Sequence, residues 1–253
     1  MKNLKIMLNK VPEIILSFWI IKILCTTVGE TFADYLNATL GFGLNGTTVV
    51  MGALLIIALI FQFKSSKYIP SIYWLSVVLI SVFGTLITDN LIDNLGVSLI
   101  TITAVFSIIL GSIFAFWYKS ENTLSIHSIT TTRREAFYWL TILFTFALGT
   151  ASGDLLAEKF ALGYLLSAII FAGGIAIIYV LYSKFKLNAI LAFWLAYILT
   201  RPLGASVGDY LSQATDDGGL GLGTTVTSLM FLIAILGIVI YLTKTKADEI
   251  SKK

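Results

Sequence analysis

The chain has 253 residues, 57% of them hydrophobic and 12% charged, with a formal net charge of +3 and a mean hydropathy of +0.92. A water-soluble domain carries about 25% charged residues, so composition excludes a soluble globular enzyme and predicts an all-α, polytopic membrane protein surrounded by lipid. The positive excess lies in short polar segments poor in aromatics, which gives no reason to expect nucleic acid as a partner.

The opening segment MKNLKIMLNKVPEI is basic and interrupted by Pro12, and the apolar run after it carries Lys22 and Glu30 without a small-residue cleavage site. It therefore reads as a retained first helix rather than a cleaved leader. Apolar runs of the length a membrane span needs, about 20 residues, predict eight helices at roughly 12–36, 46–63, 70–91, 96–117, 136–156, 160–183, 187–210 and 223–243. Pro12 and Pro70 fall where a first helical turn tolerates proline. Pro202 falls inside the seventh helix, where a kink or break is expected. The longest polar insert, about Lys119 to Glu135, is too short for a separate fold, so residues 1–253 form a single transmembrane domain.

Basic residues set the expected orientation. Lys2, Lys5, Lys10, Lys64, Lys67, Lys119, Arg133, Arg134, Lys184, Lys186, Lys244, Lys246, Lys252 and Lys253 fall on one side of an eight-span arrangement, and Lys159 on the other. The excess of Lys and Arg in cytoplasmic loops then puts both termini in the cytoplasm, in a multi-pass protein of the cell membrane. Cys25 is the single cysteine, which excludes an internal disulfide and a multi-thiolate metal site. His127 is also single and lies in a Ser/Thr-rich loop, where a solvated side chain is expected.

One frame recurs four times without a gap: FWIIKILCTTVGETFAD, YWLSVVLISVFGTLITD, YWLTILFTFALGTASGD and FWLAYILTRPLGASVGD. Ten positions after Trp19, Trp74, Trp139 and Trp194 come Gly29, Gly84, Gly149 and Gly204; fifteen positions after come Asp34, Asp89, Asp154 and Asp209. Internal repetition of this kind defines architecture. Each repeat is an odd helix, an outer turn and an even helix, at about 12–64, 68–118, 133–183 and 187–243. Two spans per repeat keep the copies parallel around an axis along the membrane normal, as a pseudo-fourfold ring or a pair of pairs. The tryptophans are expected in the cytoplasmic aromatic belt, and the glycines in close helix packing or at a local helix break.

Fifteen helical residues rise about 22 Å, which puts the four aspartates short of the outer surface, where a carboxylate costs on the order of 3 kcal/mol unless paired or hydrated. Glu30, Thr85 and Thr150 stand four residues before Asp34, Asp89 and Asp154 and share their helical faces. A further turn inward lie Thr26, Ser81, Phe146 and Arg201. Oxygen donors of this kind suit hard divalent cations. In a closed ring the first and last repeats are neighbours, so Glu30 and Arg201 are expected to pair and to act as a gate, with Lys22 two turns further in.

The GETFAD segment after FWIIK, with its four W–x9–G–x4–D copies over nearly the whole chain, resembles a bacterial family of uncharacterised membrane-anchored proteins defined by a repeat of unknown function. Members are named in places as regulators of amylopullulanase. The wording from Glu30 to Asp34 is also similar to the acidic Glu–x–Gly–Asp signature of manganese and calcium exchangers of the Golgi-protein type, a chemical analogy only: glycine here precedes the glutamate, and no basic residue follows the aspartate.

The expectation from these features is a secondary transporter of a divalent cation, Mn²⁺ before Mg²⁺ or Ca²⁺, coupled to protons, with the cation as substrate and no resident cofactor. A cation channel and a ligand-sensing membrane scaffold are the alternatives, and a homo-oligomer is compatible with each. A catalytic function is not expected, because no helical His pair, nucleophile–base arrangement or phosphate loop is present.

Overall fold

The computed structural model describes residues 9–249. Its eight long helices are α1 (Leu16–Asp34), α2 (Gly43–Lys64), α3 (Pro70–Asp89), α4 (Leu99–Glu121), α5 (Thr132–Asp154), α6 (Tyr164–Phe185), α7 (Ala189–Ser212) and α8 (Gly223–Thr245). Each is long and apolar enough to cross a membrane. Pro70 opens α3, while Ser98, Thr131 and Asn188 cap α4, α5 and α7 by accepting from Thr101, Arg134 and Ile190/Leu191 backbone N–H groups. Left-handed residues at Asn122, Lys186 and Lys246 stop α4, α6 and α8.

The first turn of the chain differs from expectation. Pro12 lies in a non-helical lead, and α1 starts only at Leu16. α7 passes through Pro202 without a break, because the residues around it are packed on both sides by neighbouring ring helices. Three odd helices do not stop cleanly after the repeat aspartate. Each widens into a five-residue π-helical turn: Tyr35–Thr39 after Asp34, Asn90–Asn94 after Asp89, and Leu155–Lys159 after Asp154. The fourth repeat lacks this turn and ends at Ser212.

The odd helices form a closed ring in the order α1, α3, α5, α7 and back to α1. The even helices lie outside it. The two helices of one repeat hardly meet along their length. Instead α2 packs on α3, α4 on α5, α6 on α7, and α8 on α1, so each outer helix covers the ring helix of the following repeat. About 56–67% of each odd span is buried, against 22–28% of each even span. That division fits the near-uniform hydrophobicity of the even helices: most of their surface is left uncovered by the protein, as suits a helix that can cross a membrane.

Two cyclic contacts build the ring. The first is made by the repeat glycines. A β-carbon placed on Gly29, Gly84, Gly149 or Gly204 would stand 2.7, 2.8, 2.5 and 2.5 Å from the β-carbons of Ser81, Phe146, Arg201 and Thr26. In every case the partner is the residue seven positions after the Trp of the next repeat, so the glycines serve close packing, not helix breaking. The second contact is aromatic. Phe18 meets Trp74, Tyr73 meets Trp139, Tyr138 meets Trp194, and Phe193 meets Trp19, with ring centroids 5.7, 5.5, 6.3 and 5.7 Å apart. Trp74, Trp139 and Trp194 are buried. Trp19 is half-buried, and all four tryptophans serve the joints between neighbouring ring helices.

Candidate functional site

Above the aromatic girdle the ring interior is polar, and its centre is Arg201. This side chain is fully buried on α7. It extends toward the next layer, where Nη2 meets Glu30 Oε2 at 2.9 Å, Thr150 Oγ1 at 2.6 Å and Thr85 Oγ1, while Nη1 reaches the Thr26 carbonyl at 3.4 Å. Nη2 carries two hydrogens, so its three oxygen neighbours compete for two donations. Thr85 and Thr150 also contact each other at 3.4 Å, and Thr85 donates to Glu30 at 3.5 Å. One guanidinium thus ties all four ring helices together at the level of Glu30.

The placement follows from local structure. Gly149 gives Arg201 room at its own stem, because any side chain there would overlap Arg201 Cβ. The position in repeat four that matches Glu30, Thr85 and Thr150 is Ala205, which is buried and brings no polar side chain to this layer. Pro202 donates no N–H to the backbone ladder, and its ring and Arg201 together face Gly149.

Lys22 lies one layer further down and is fully buried. Its Nζ sits 4.1 Å from the Phe146 ring centroid and 4.2 Å from that of Tyr197. Phe146 also receives Arg201 Cζ at 5.7 Å. Among the described residues neither Lys22 Nζ nor Arg201 Nε has a hydrogen-bond acceptor. The lysine is therefore held by two aromatic faces, a contact worth about 2 kcal/mol or more when desolvated.

On the other side of the Arg201 layer stand the repeat aspartates. Asp34, Asp89 and Asp154 are half-buried, and Asp209 is 7% exposed. None of the four forms an ion pair or side-chain hydrogen bond among the described residues. Glu30 lies within electrostatic reach of all four. Asp34, Asp89 and Asp154 each stand at the join between the α-helix and the π-helical turn that continues it, so they lie within a helical span and not at its end. Among the described residues no three His, Cys, Asp or Glu side chains are grouped closely enough to hold one metal ion. The four aspartates share an end of the ring without forming a ligand cluster.

The opposite end is sealed. Within the girdle, Tyr73 and Tyr138 share a 2.5 Å hydroxyl contact. Lys10, 1% exposed, donates to Glu135 Oε2 at 2.6 Å and to the Gln62 and Phe63 carbonyls at 3.3 and 3.0 Å, while Gln62 Nε2 donates to Glu135 Oε1 at 3.1 Å. Beside it Tyr68 donates to Asp248 at 2.5 Å. Burial raises the Asp248 carboxyl above the ordinary aspartate range, and burial together with the Asp248 contact raises the Tyr68 hydroxyl. Sequence reasoning treated Lys10 only as a cytoplasmic charge and passed over Tyr197, Gln62, Tyr68, Glu135 and Asp248. The visible signal was Gln62, a polar residue inside the apolar run LIFQFK. His127 is exposed and Cys25 buried; neither joins the site.

No curated protein and no solved structure matches the chain. The family described as Repeat of Unknown Function (DUF347) matches at residues 17–68, 72–123, 137–187 and 192–248. Each match covers one ring helix and the outer helix that follows it, and together they cover most of the described fold, so the chain belongs to the DUF347 repeat family.

Proposed function

We propose that the protein is a secondary transporter of a divalent metal cation, with Mn²⁺ the favoured substrate and Mg²⁺ or Ca²⁺ next, exchanging it for protons across the cell membrane with both termini in the cytoplasm. The observation that carries this reading is the one-sided polar interior: carboxylates at one end, closed beneath by Arg201 bound to Glu30, Thr85 and Thr150.

In this mechanism a hydrated cation enters among Asp34, Asp89, Asp154 and Asp209, attracted by their charge and that of Glu30. Either the cation or a proton then competes with Arg201 for the Glu30 carboxylate. Loss of that partner leaves the guanidinium on Thr85, Thr150 and the Thr26 carbonyl and weakens the tie across the four ring helices at that level, while the glycine and aromatic joints keep the ring closed. Intramembrane charges that pair in one state and separate in another are the usual elements of ion coupling. The interior below Arg201 holds Lys22 and the aromatic girdle, a cation-repelling and closed path. This disfavours a conducting pore and favours a carrier that exposes its site by turns.

The test is flux into proteoliposomes across a panel of divalent ions, with a pH dye in the lumen, for wild type, Asp34→Asn and Glu30→Gln. Saturable uptake of Mn²⁺ accompanied by opposite proton movement, reduced at least tenfold in both variants, supports the reading. Uptake unaffected by either substitution, or absent for every ion of the panel, overturns it.

A further inference from the structure

A second feature lies outside the polar interior. At the sealed end of the ring, between α6 and α7, a cavity of about 780 Å³ runs from the surface of α6 toward the start of α1. Its size falls in the range of small-molecule sites, about 300–1,000 Å³. Alanines make it: Ala189, Ala192 and Ala196 on α7 oppose Ala172 and Ala176 on α6. In the ring frame Ala196 corresponds to Ile21, Ser76 and Thr141, and Ala192 to Ser17, Ile72 and Phe137, so the fourth repeat is trimmed where the others are mostly bulkier.

The cavity lining includes Leu16 and Tyr179, which are 75% and 68% exposed, so the cavity reaches the surface of two helices long and apolar enough to cross a membrane. Its polar rim is confined to one end, where Glu13, Ser125 and His127 lie level with the start of α1. Glu13 is exposed and has no ion-pair partner among the described residues. An apolar slot with a carboxylate at helix-end level suits an amphiphile whose head ends in an ammonium: the chain would lie along α6 and α7, with the ammonium at Glu13. Molecules of that form are supplied by the bilayer itself.

We infer that this cavity is a specific site for one phospholipid bearing an ammonium head group, its acyl chain between α6 and α7 and its ammonium on Glu13. The site is independent of the transport reading, and its test contains no transport measurement.

The test uses delipidated full-length protein and native mass spectrometry with phosphatidylethanolamine or phosphatidylglycerol of identical chains. Wild type should retain one phosphatidylethanolamine in preference to phosphatidylglycerol. Ala192→Leu/Ala196→Leu, which fills the slot, should weaken retention of both by about tenfold or more, since each excluded methylene forfeits part of the burial. Its melting temperature without lipid should not fall. Glu13→Gln should leave chain binding intact and remove the preference for the ammonium head. If the double variant does not fold, wild-type tryptophan fluorescence with brominated acyl chains replaces it: Trp19 lines the cavity, so quenching should be lost in Trp19→Phe. Retention of no lipid by wild type, equal retention by the filled variant, or quenching that survives Trp19→Phe overturns the site. A phosphatidylglycerol preference overturns the assignment of the head group.

Discussion

Gly149 lies directly against Arg201: the bare α-carbon of one ring helix receives the stem of the side chain that organises the polar interior from the next. The same relation, glycine against the residue seven places after the following Trp, recurs at Gly29, Gly84 and Gly204 with Ser81, Phe146 and Thr26. Since the partners differ in size and chemistry, what the four share is backbone proximity. Gly149→Ala and Gly204→Ala should each destabilise the protein by about 1–3 kcal/mol through overpacking. Gly111, Gly173 and Gly237 on outer helices have nothing within 4 Å of an added β-carbon, and alanine there should be neutral or stabilising by up to about 1 kcal/mol. Thermal melts in detergent compare the two sets; equal losses in both would remove the packing account of the ring.

Glu30 and Arg201 form a pair at 2.9 Å with side chains 8% and 0% exposed. Removing one partner strands the other, which in buried pairs costs about 3–5 kcal/mol. Glu30→Gln and Arg201→Met should each lower stability markedly, and the double variant should recover much of the loss. The coupling energy from the double-mutant cycle is the deciding quantity. Additive losses would mean that Arg201 is held by Thr85, Thr150 and the Thr26 carbonyl, with Glu30 dispensable.

Much of this arrangement is legible in the chain. The Trp–Gly–Asp spacing gives four parallel units, and closing them in a ring makes repeats one and four neighbours, which brings Glu30 to Arg201. The crossing of α2 onto α3 is not legible, because a helix apolar on all sides carries no pattern that names its partner. The buried positions of Trp74, Trp139 and Trp194 are hidden for a related reason: the same residue type suits an interfacial belt and a packed joint. The ties at Glu135 and Asp248 join segments 125 and 180 residues apart in sequence, and no local signal encodes such a distance.

Lys22 has a charge that only aromatic faces compensate. An intramembrane lysine costs about 2.5–3.5 kcal/mol on insertion scales, and the contacts with Phe146 and Tyr197 return about 2 kcal/mol. Lys22→Met should therefore raise stability by about 1 kcal/mol, read as a higher melting temperature. If Lys22 is the barrier to cations beneath Arg201, the same variant should lose proton-linked exchange and show leak. A variant that melts lower would mean that the ammonium is part of the packing.

At the sealed end Lys10 bridges two helix termini of opposite polarity. It caps the Gln62 and Phe63 carbonyls at the negative end of α2 and pairs with Glu135 in the first turn of α5, where the exposed N–H groups favour an acid. This makes the contact directional in a way the Glu30–Arg201 pair is not. Lys10→Met should cost about 3–5 kcal/mol, as expected when a buried carboxylate loses its partner. Reversing the charges, Lys10→Glu with Glu135→Lys, should fail to restore stability, for two reasons. A glutamate at position 10 cannot donate to the α2 carbonyls, and a lysine at position 135 places a positive charge on the positive end of α5. The apolar pair Lys10→Met/Glu135→Met should do better than the reversal, because it strands no charge. Melting temperatures of the four proteins decide the matter, and full rescue by reversal would show that only the Coulombic attraction between the two side chains counts.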